Sequence, residues 1–306
     1  MKWPNNKEFA FTIIDDNDNS SINNVKPVYD LLETLGLKTT KTVWVYPSRD
    51  RFSGDSISDK KYLDFILHLQ DKGFEIALHS VSGGNFTREE IIKGLKFFKE
   101  VMGCYPSMNI NHAQNLHNLY WGNRSCSKLL QWYAKKKNPN EKSFGEDVTS
   151  KFYWGDFVKK HIKYIRSRTF NKINTLANDP RMPYRDKDKN RSSNFWFSSS
   201  DGSNVKKFTA LIRKENIDKL VSKGGLCIVS THFASGFVDL DGKVDPDFEK
   251  NLRYLASRNG LFVPATQVLD YLLSRKEREY ESELYFFMLD IKRKLRRSKD
   301  FSDFEG

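Results

Sequence analysis

The residues best placed to do chemistry are Asp15 and Asp16, which close the run Glu8-Phe9-Ala10-Phe11-Thr12-Ile13-Ile14. Adjacent carboxylates where an apolar strand ends oppose folding, because both charges meet the lip of the core. Three later apolar runs also end in a residue able to bind metal or move protons: His79, His112 and His232. An aspartate and two histidines around an open position suit Zn²⁺ or a similar divalent ion. A water on such an ion ionises near pH 7, a second carboxylate can take the proton, and a remaining histidine can protonate the leaving group. The expected chemistry is metal-assisted hydrolysis. A lone histidine is more often structural, so the agreement of four strand ends carries the inference. His68 and His161 fall outside that pattern.

The elements that would position these groups alternate. A strand at 8–14 precedes a helix at 25–35, ended by Gly36, and a β-branched strand at 39–45. An amphipathic helix at 58–72 puts Tyr62, Phe65, Ile66 and Leu69 on one face and leads to a strand at 74–78. Thr87-Arg88-Glu89-Glu90 is a capping box whose helix runs to Gly103, and a strand follows at 107–110. Late in the chain come a strand at 226–230, a helix at 246–258 with Pro246 in its first turn, a strand at 261–263 and a helix at 265–273. Repeated β-α units predict an α/β fold of parallel strands with right-handed crossovers, whose ligands bind beyond the carboxyl ends of the strands.

Between 115 and 200 the pattern breaks, with helices expected at 125–136 and 156–166 among many aromatics. A structureless loop of that length is uncommon, so the stretch reads as an insertion folded over the active-site end. Within it Trp154 with Asp156, and Trp196 with Asp201, combine aromatic faces with carboxylates, a pairing that suits sugar rings. Arg166, Arg168, Arg181 and Arg185 offer a clamp for phosphate or an acidic sugar. Residues 275–297 form an amphipathic, basic helix, placing Tyr280, Leu284, Phe287, Met288, Ile291 and Leu295 at helical spacing. Docking on the domain or pairing with a second subunit is its expected use, ahead of lying on an anionic membrane through Lys292-Arg293-Lys294 and Arg296-Arg297. The domain division is thus 1–274 and 275–306.

The chain has 306 residues and a formal net charge of +12, which favours anionic partners without choosing among them. Its basic residues are not interleaved with a recognised nucleic-acid-binding motif, so no nucleic-acid partner is expected. Cys104, Cys126 and Cys227 are widely spaced, which predicts reduced thiols rather than disulfides. No P-loop, G-x-G-x-x-G or G-x-S-x-G is present, which argues against ordinary nucleotide and serine-hydrolase sites. With no signal-like start and no membrane span, the expected location is the cytoplasm. Asp239, Asp241 and Asp245 form a calcium-like run, but its spacing fails the EF-hand pattern and predicts an Asp-capped turn.

The order "FTIIDDND", "EIALHS", a turn from Gly103 to Pro106 and late "LCIVSTHF" resembles the polysaccharide deacetylases of carbohydrate esterase family four. That resemblance implies a distorted (β/α) barrel over most of 8–273, with the long aromatic-rich insertion and the C-terminal helix added. It implies Asp15 as base, Asp16 as metal ligand, His79 as a second ligand and His232 as acid. It also implies a carbohydrate or glycan-precursor substrate and a divalent cofactor, with Zn²⁺ expected. Two departures stand out. Gly83 occupies the place of the family's second motif histidine, and the third motif reads Asn109-Ile110-Asn111-His112-Ala113-Gln114-Asn115. His112 is the expected replacement ligand, with Asn85 the alternative; Asn85 and Asn111 join the expected substrate-binding set.

Two rival readings differ in class. Asp16-Asn17-Asp18-Asn19-Ser20 fits the nucleophile loop of haloacid-dehalogenase-like phosphatases, which would also need a late lysine and an acidic pair for Mg²⁺. Gly83 instead motivates a catalytically inactive glycan-binding or scaffolding barrel.

Overall fold

The computed structural model describes residues 2–137, 142–275 and 280–300. The first half runs β1 (Phe9–Asp15), α1 (Ile22–Thr34), β2 (Thr40–Val43), α2 (Lys60–Asp71), β3 (Glu75–Leu78), α3 (Arg88–Met102), β4 (Met108–Asn109) and α4 (Lys128–Lys137). The second continues with α5 (Gly155–His161), β5 (Tyr164–Phe170), α6 (Thr175–Asn178), β6 (Phe195–Asp201), α7 (Val205–Leu211), α8 (Lys214–Ser222), β7 (Leu226–Thr231), α9 (Pro246–Ala256), β8 (Gly260–Leu261), α10 (Ala265–Arg275) and α11 (Glu283–Asp300).

Seven parallel strands close into a barrel in the order β2-β3-β4-β5-β6-β7-β1, and β1 pairs with β2 to complete the ring. β1 shares one edge between two partners. Phe9 and Ala10 pair with β8, while Ile14 and Asp15 pair with β2. That split distorts the barrel. Every residue of β1 is buried, as expected for a parallel strand covered on both faces.

Local signals explain several helices. Thr87 and Glu90 form the reciprocal capping box of α3, and Gly103 ends that helix in the left-handed conformation with φ of 81°. Asp245 caps α9, whose first turn takes Pro246. Asp239 accepts from the backbone of Asp241 and Lys243, so the acidic run there is a capped turn as expected.

The stretch from 115 to 200 departs from expectation, because it supplies the barrel strands β5 and β6. The helix expected at 156–166 stops at His161, and Tyr164 already belongs to β5. The cysteines are free. No described helix is long and apolar enough to cross a membrane.

The C-terminal helix docks on the barrel domain through a face other than the expected stripe. Tyr285, Phe286 and Leu289 are buried, whereas Leu284 and Met288 face outward. Asp290 on α11 takes Arg168 of β5 in a buried ion pair at 2.7 Å and accepts the backbone N–H of Ser127. The side chains of Lys294, Arg296 and Arg297, from the expected membrane-facing set, and of Leu295, from the expected apolar stripe, lie outside the described residues.

Candidate metal centre at the carboxyl mouth of the barrel

Successive strand residues point to opposite faces, and this separates the two aspartates. Asp15 lies on the helix-facing side. It accepts from Lys41 on β2 at 2.8 Å, from the Tyr29 hydroxyl of α1 at 3.1 Å and from the Phe233 backbone N–H at 2.8 Å. Asp15 and Lys41 are both fully buried. The base expected at Asp15 is therefore locked in an internal ion pair away from the mouth. Asp16 faces across the barrel and takes both guanidinium nitrogens of Arg166 from β5, at 3.1 and 2.6 Å. Burial opposes its charge, but Arg166, with His79 and His232, holds its pKa below the usual carboxylate value. That bidentate pair leaves Asp16 outside the metal-ligand geometry expected of it.

Asp18 stands where Asp16 was expected. The chain turns after β1, with Asn19 left-handed at φ of 57°. Asn17 anchors the turn, its amide donating to Asp55 O and its carbonyl accepting from the Tyr62 hydroxyl of α2. This sets the Asp18 carboxylate over the mouth, where His79 Nε2 lies at 3.0 Å, His112 Nε2 at 2.7 Å and His232 Nε2 at 3.1 Å. Among the described residues, one group of carboxylate and imidazole atoms is close enough to share an ion. Asp18, His79 and His112 each offer a ligand atom, all within 4.8 Å of one another.

The hydrogen bonds around His112 test whether a cation fits. Asn115 donates to Ser82 O and accepts from the Gly84 N–H, which fixes its amide orientation. Its oxygen lies 3.3 Å from His112 Nδ1, so Nδ1 must carry a proton. A neutral imidazole would then aim the lone pair of Nε2 at the Asp18 carboxylate. A cation must sit between them, either a proton or a metal ion. The donor set of one carboxylate and two imidazoles fits a divalent ion of the zinc type.

Gly83 has a physical reason. A Cβ there would come within 2.7 Å of Asp50 Oδ1 and 2.8 Å of Ser48 Oγ, so the loop after β2 occupies the space. Its absence lets Asp50 approach His112, with Oδ2 3.6 Å from Nδ1. His112, after the neighbouring strand, brings its imidazole to the same Asp18 carboxylate as His79. Asp50→Ala is expected to weaken binding of a divalent ion, because its charge lies 3.6 Å from His112 Nδ1 and favours a cation at the cluster. Calorimetric titration of the metal-free protein checks this; an unchanged affinity contradicts the role of Asp50.

His232 follows β7, and its Nδ1 donates to Ser203 O at 3.1 Å. Burial disfavours its charge, yet the hydrogen bond to Asp18 and the charges of Asp16 and Asp18 raise its pKa to about 9. His232 therefore holds a proton at neutral pH and loses it as pH rises through that value. Burial pushes His117 the other way, to about 3, so it is a neutral neighbour rather than part of the charged cluster.

The expected sugar-reading residues are not gathered here. Trp154 is fully buried and donates to His117 O, and Trp196 is buried and donates to Ser193. Asp156 forms a two-bond pair with Arg88. Asn111 is tied by both amide atoms to the Leu119 backbone, and Asn85 accepts from the Leu116 N–H. Asp201 borders the mouth, accepting from the Ser203 N–H and pairing with Lys207. Of the arginines, Arg166 serves Asp16, Arg168 serves Asp290 and Arg181 pairs with Glu281. The phosphatase geometry is not met either. Asp18 faces imidazoles, and β7 is followed by His232 where that family needs a lysine.

The class defined to this point is a (β/α) barrel with a carboxylate–histidine cluster at its carboxyl mouth. No family model matches the chain, and no curated protein matches it. Solved structures do. A candidate polysaccharide deacetylase from Mycobacterium smegmatis superposes with a TM-score of 0.52 at 14% identity, covering 92% of this chain and 96% of that one. A family 4 acetyl xylan esterase from Clostridium thermocellum, in complex with a cobalt ion, gives 0.41 at 14% identity, covering 89% and 92%. Peptidoglycan deacetylase PdaC from Bacillus subtilis gives 0.41 at 11% identity, covering 90% and 95%. At these identities the likeness is one of fold.

Proposed function

We propose that the chain is a metal-dependent deacetylase that removes an acetyl group from an amino sugar or glycan precursor. The observation that carries this reading is the convergence of His79, His112 and His232 on Asp18 at the mouth of the barrel. The fold shared with the candidate deacetylase and the motif order of the sequence support it.

Asp18, His79 and His112 would hold the divalent ion. Such an ion supplies Lewis acidity towards the acyl oxygen and lowers the pKa of a water. Asp16 is then the carboxylate left to accept the proton. Arg166 keeps it ionised at neutral pH, at some cost in basicity, and steadies its orientation. His232 Nε2, 4.0 Å from Asp16 and 3.1 Å from Asp18, carries the proton for the leaving amine or alcohol. The ordering of roles that the resemblance implied is kept but moved along the chain. The base passes from Asp15 to Asp16, and the ligand from Asp16 to Asp18.

Acetate release from N-acetylated oligosaccharides, with Zn²⁺ or Co²⁺ added, tests this. His232→Ala is expected to lower the rate by about 10²–10⁴-fold. As pH rises, wild-type rates should fall at about 9 or earlier, where His232 loses its proton, because an ion on Asp18 weakens its hold on that proton. No acetate release across a panel of acylated glycans, or full activity of His232→Ala, would overturn the reading.

A further inference from the structure

A cleft of about 1120 Å³ runs along the outside of the barrel, between the chain that follows β5, α6 and the α7–α8 pair. Its charge is one-sided. The lining carries seven lysine and arginine side chains against one carboxylate, Asp201, which Lys207 already neutralises. No acid among the described residues pairs with Lys172, Lys206, Lys219 or Lys223, and all four are exposed. Basic side chains gathered without counter-charges repel one another, so the arrangement is stabilised by an anion. The floor is apolar, built from Phe170, Ile173, Leu211 and Leu220, which suits the C–H faces of sugar rings.

The cleft begins beside the catalytic mouth. Asp201 holds the Ser203 backbone, and Ser203 O accepts the Nδ1–H of His232. Asp201, at the edge of the cleft, is thus two hydrogen bonds from His232. The volume exceeds the roughly 300–1,000 Å³ of an ordinary small-molecule site and suits an oligomer.

We infer that this cleft binds anionic sugar residues, bearing carboxylate or phosphate, of the same glycan whose acylated unit lies at the mouth. The inference rests on the proposed deacetylase function and specifies its substrate class. Four lysines give it direction, since they act as point charges that tolerate varied anion geometry. They confer selection for charge rather than for one sugar.

The test compares binding of chitohexaose, hyaluronan hexasaccharide and a phosphorylated mannan oligosaccharide to the full chain by calorimetry at low salt. At least one charged oligosaccharide should bind about tenfold more tightly than chitohexaose, with the advantage fading at high salt. The variant Lys172→Glu/Lys206→Glu/Lys219→Glu/Lys223→Glu should lose that advantage. Thermal melting verifies its folding, and single Lys→Glu changes give the graded effect should the quadruple variant not fold. The charged arm that binds identifies carboxylate or phosphate as the recognised group. Equal or absent binding of charged and neutral sugars, an advantage that survives the lysine changes, or tighter binding of a (dT)12 oligonucleotide would each overturn the inference. Binding is read without turnover. Charge selection with no acetate release sinks the catalytic reading alone, and acetate release without charge selection sinks the cleft alone.

Discussion

Asp18→Ala is expected to abolish binding of a divalent ion and to lower deacetylation by at least about 10³-fold, because it removes the carboxylate on which three imidazoles converge. The same change at Asp16 should leave one ion bound, since Asp16 spends both oxygens on Arg166. Activity would still fall in Asp16→Ala, through loss of the proton acceptor. Metal content after dialysis separates the two variants. If Asp16→Ala loses the ion and Asp18→Ala keeps it, the two roles are reversed. Removing Asp18 also takes the hydrogen bond from His232 Nε2, so the imidazolium should titrate lower in that variant.

The second large effect concerns stability. Lys41→Ala would leave Asp15 as an unpaired charge in a fully buried position, with Tyr29 and the Phe233 N–H as its remaining partners. Breaking a buried pair in this way costs about 3–5 kcal/mol. Chemical denaturation should show the midpoint falling steeply, while activity per folded molecule changes little. The double change Asp15→Leu/Lys41→Met removes both charges together and should recover much of the loss. An unchanged midpoint in Lys41→Ala would contradict the structural role of the pair. So would loss of activity in Asp15→Asn at full stability.

Much of the barrel was legible because its signals are local. β1, β3 and β7 carry apolar runs, β2 is rich in β-branched residues, α3 carries its capping box, and α9 begins at Pro246 behind an aspartate cap. β5 and β6 were not legible. β5 reads Tyr-Ile-Arg-Ser-Arg-Thr-Phe, and its arginines look like surface residues until Asp16 and Asp290 are placed against them. β6 carries three serines whose hydroxyls face partners distant in sequence, such as Asp179 and Thr175. Polar residues paid for by long-range partners erase the hydrophobic pattern on which strand reading depends.

The site divides in the same way. His79, His112 and His232 follow strands, so sequence order alone aligned them at one end of the barrel. The aspartates required geometry. Strand alternation already forbids Asp15 and Asp16 from facing the mouth together, and that signal was available in the sequence. It was the turn at Asn17–Asn19, held by Tyr62 and Asp55, that raised Asp18 over the histidines. Asp50 had no sequence signal, because its place behind His112 depends on a loop packing onto Gly83.

The anomalous difference map of a crystal soaked with Co²⁺ locates a divalent ion among these residues directly. One strong peak is expected within about 2.0–2.2 Å of His79 Nε2, His112 Nε2 and an Asp18 carboxylate oxygen. A peak coordinated by Asp16 in place of Asp18, or no peak among these residues, would contradict a metal centre at Asp18.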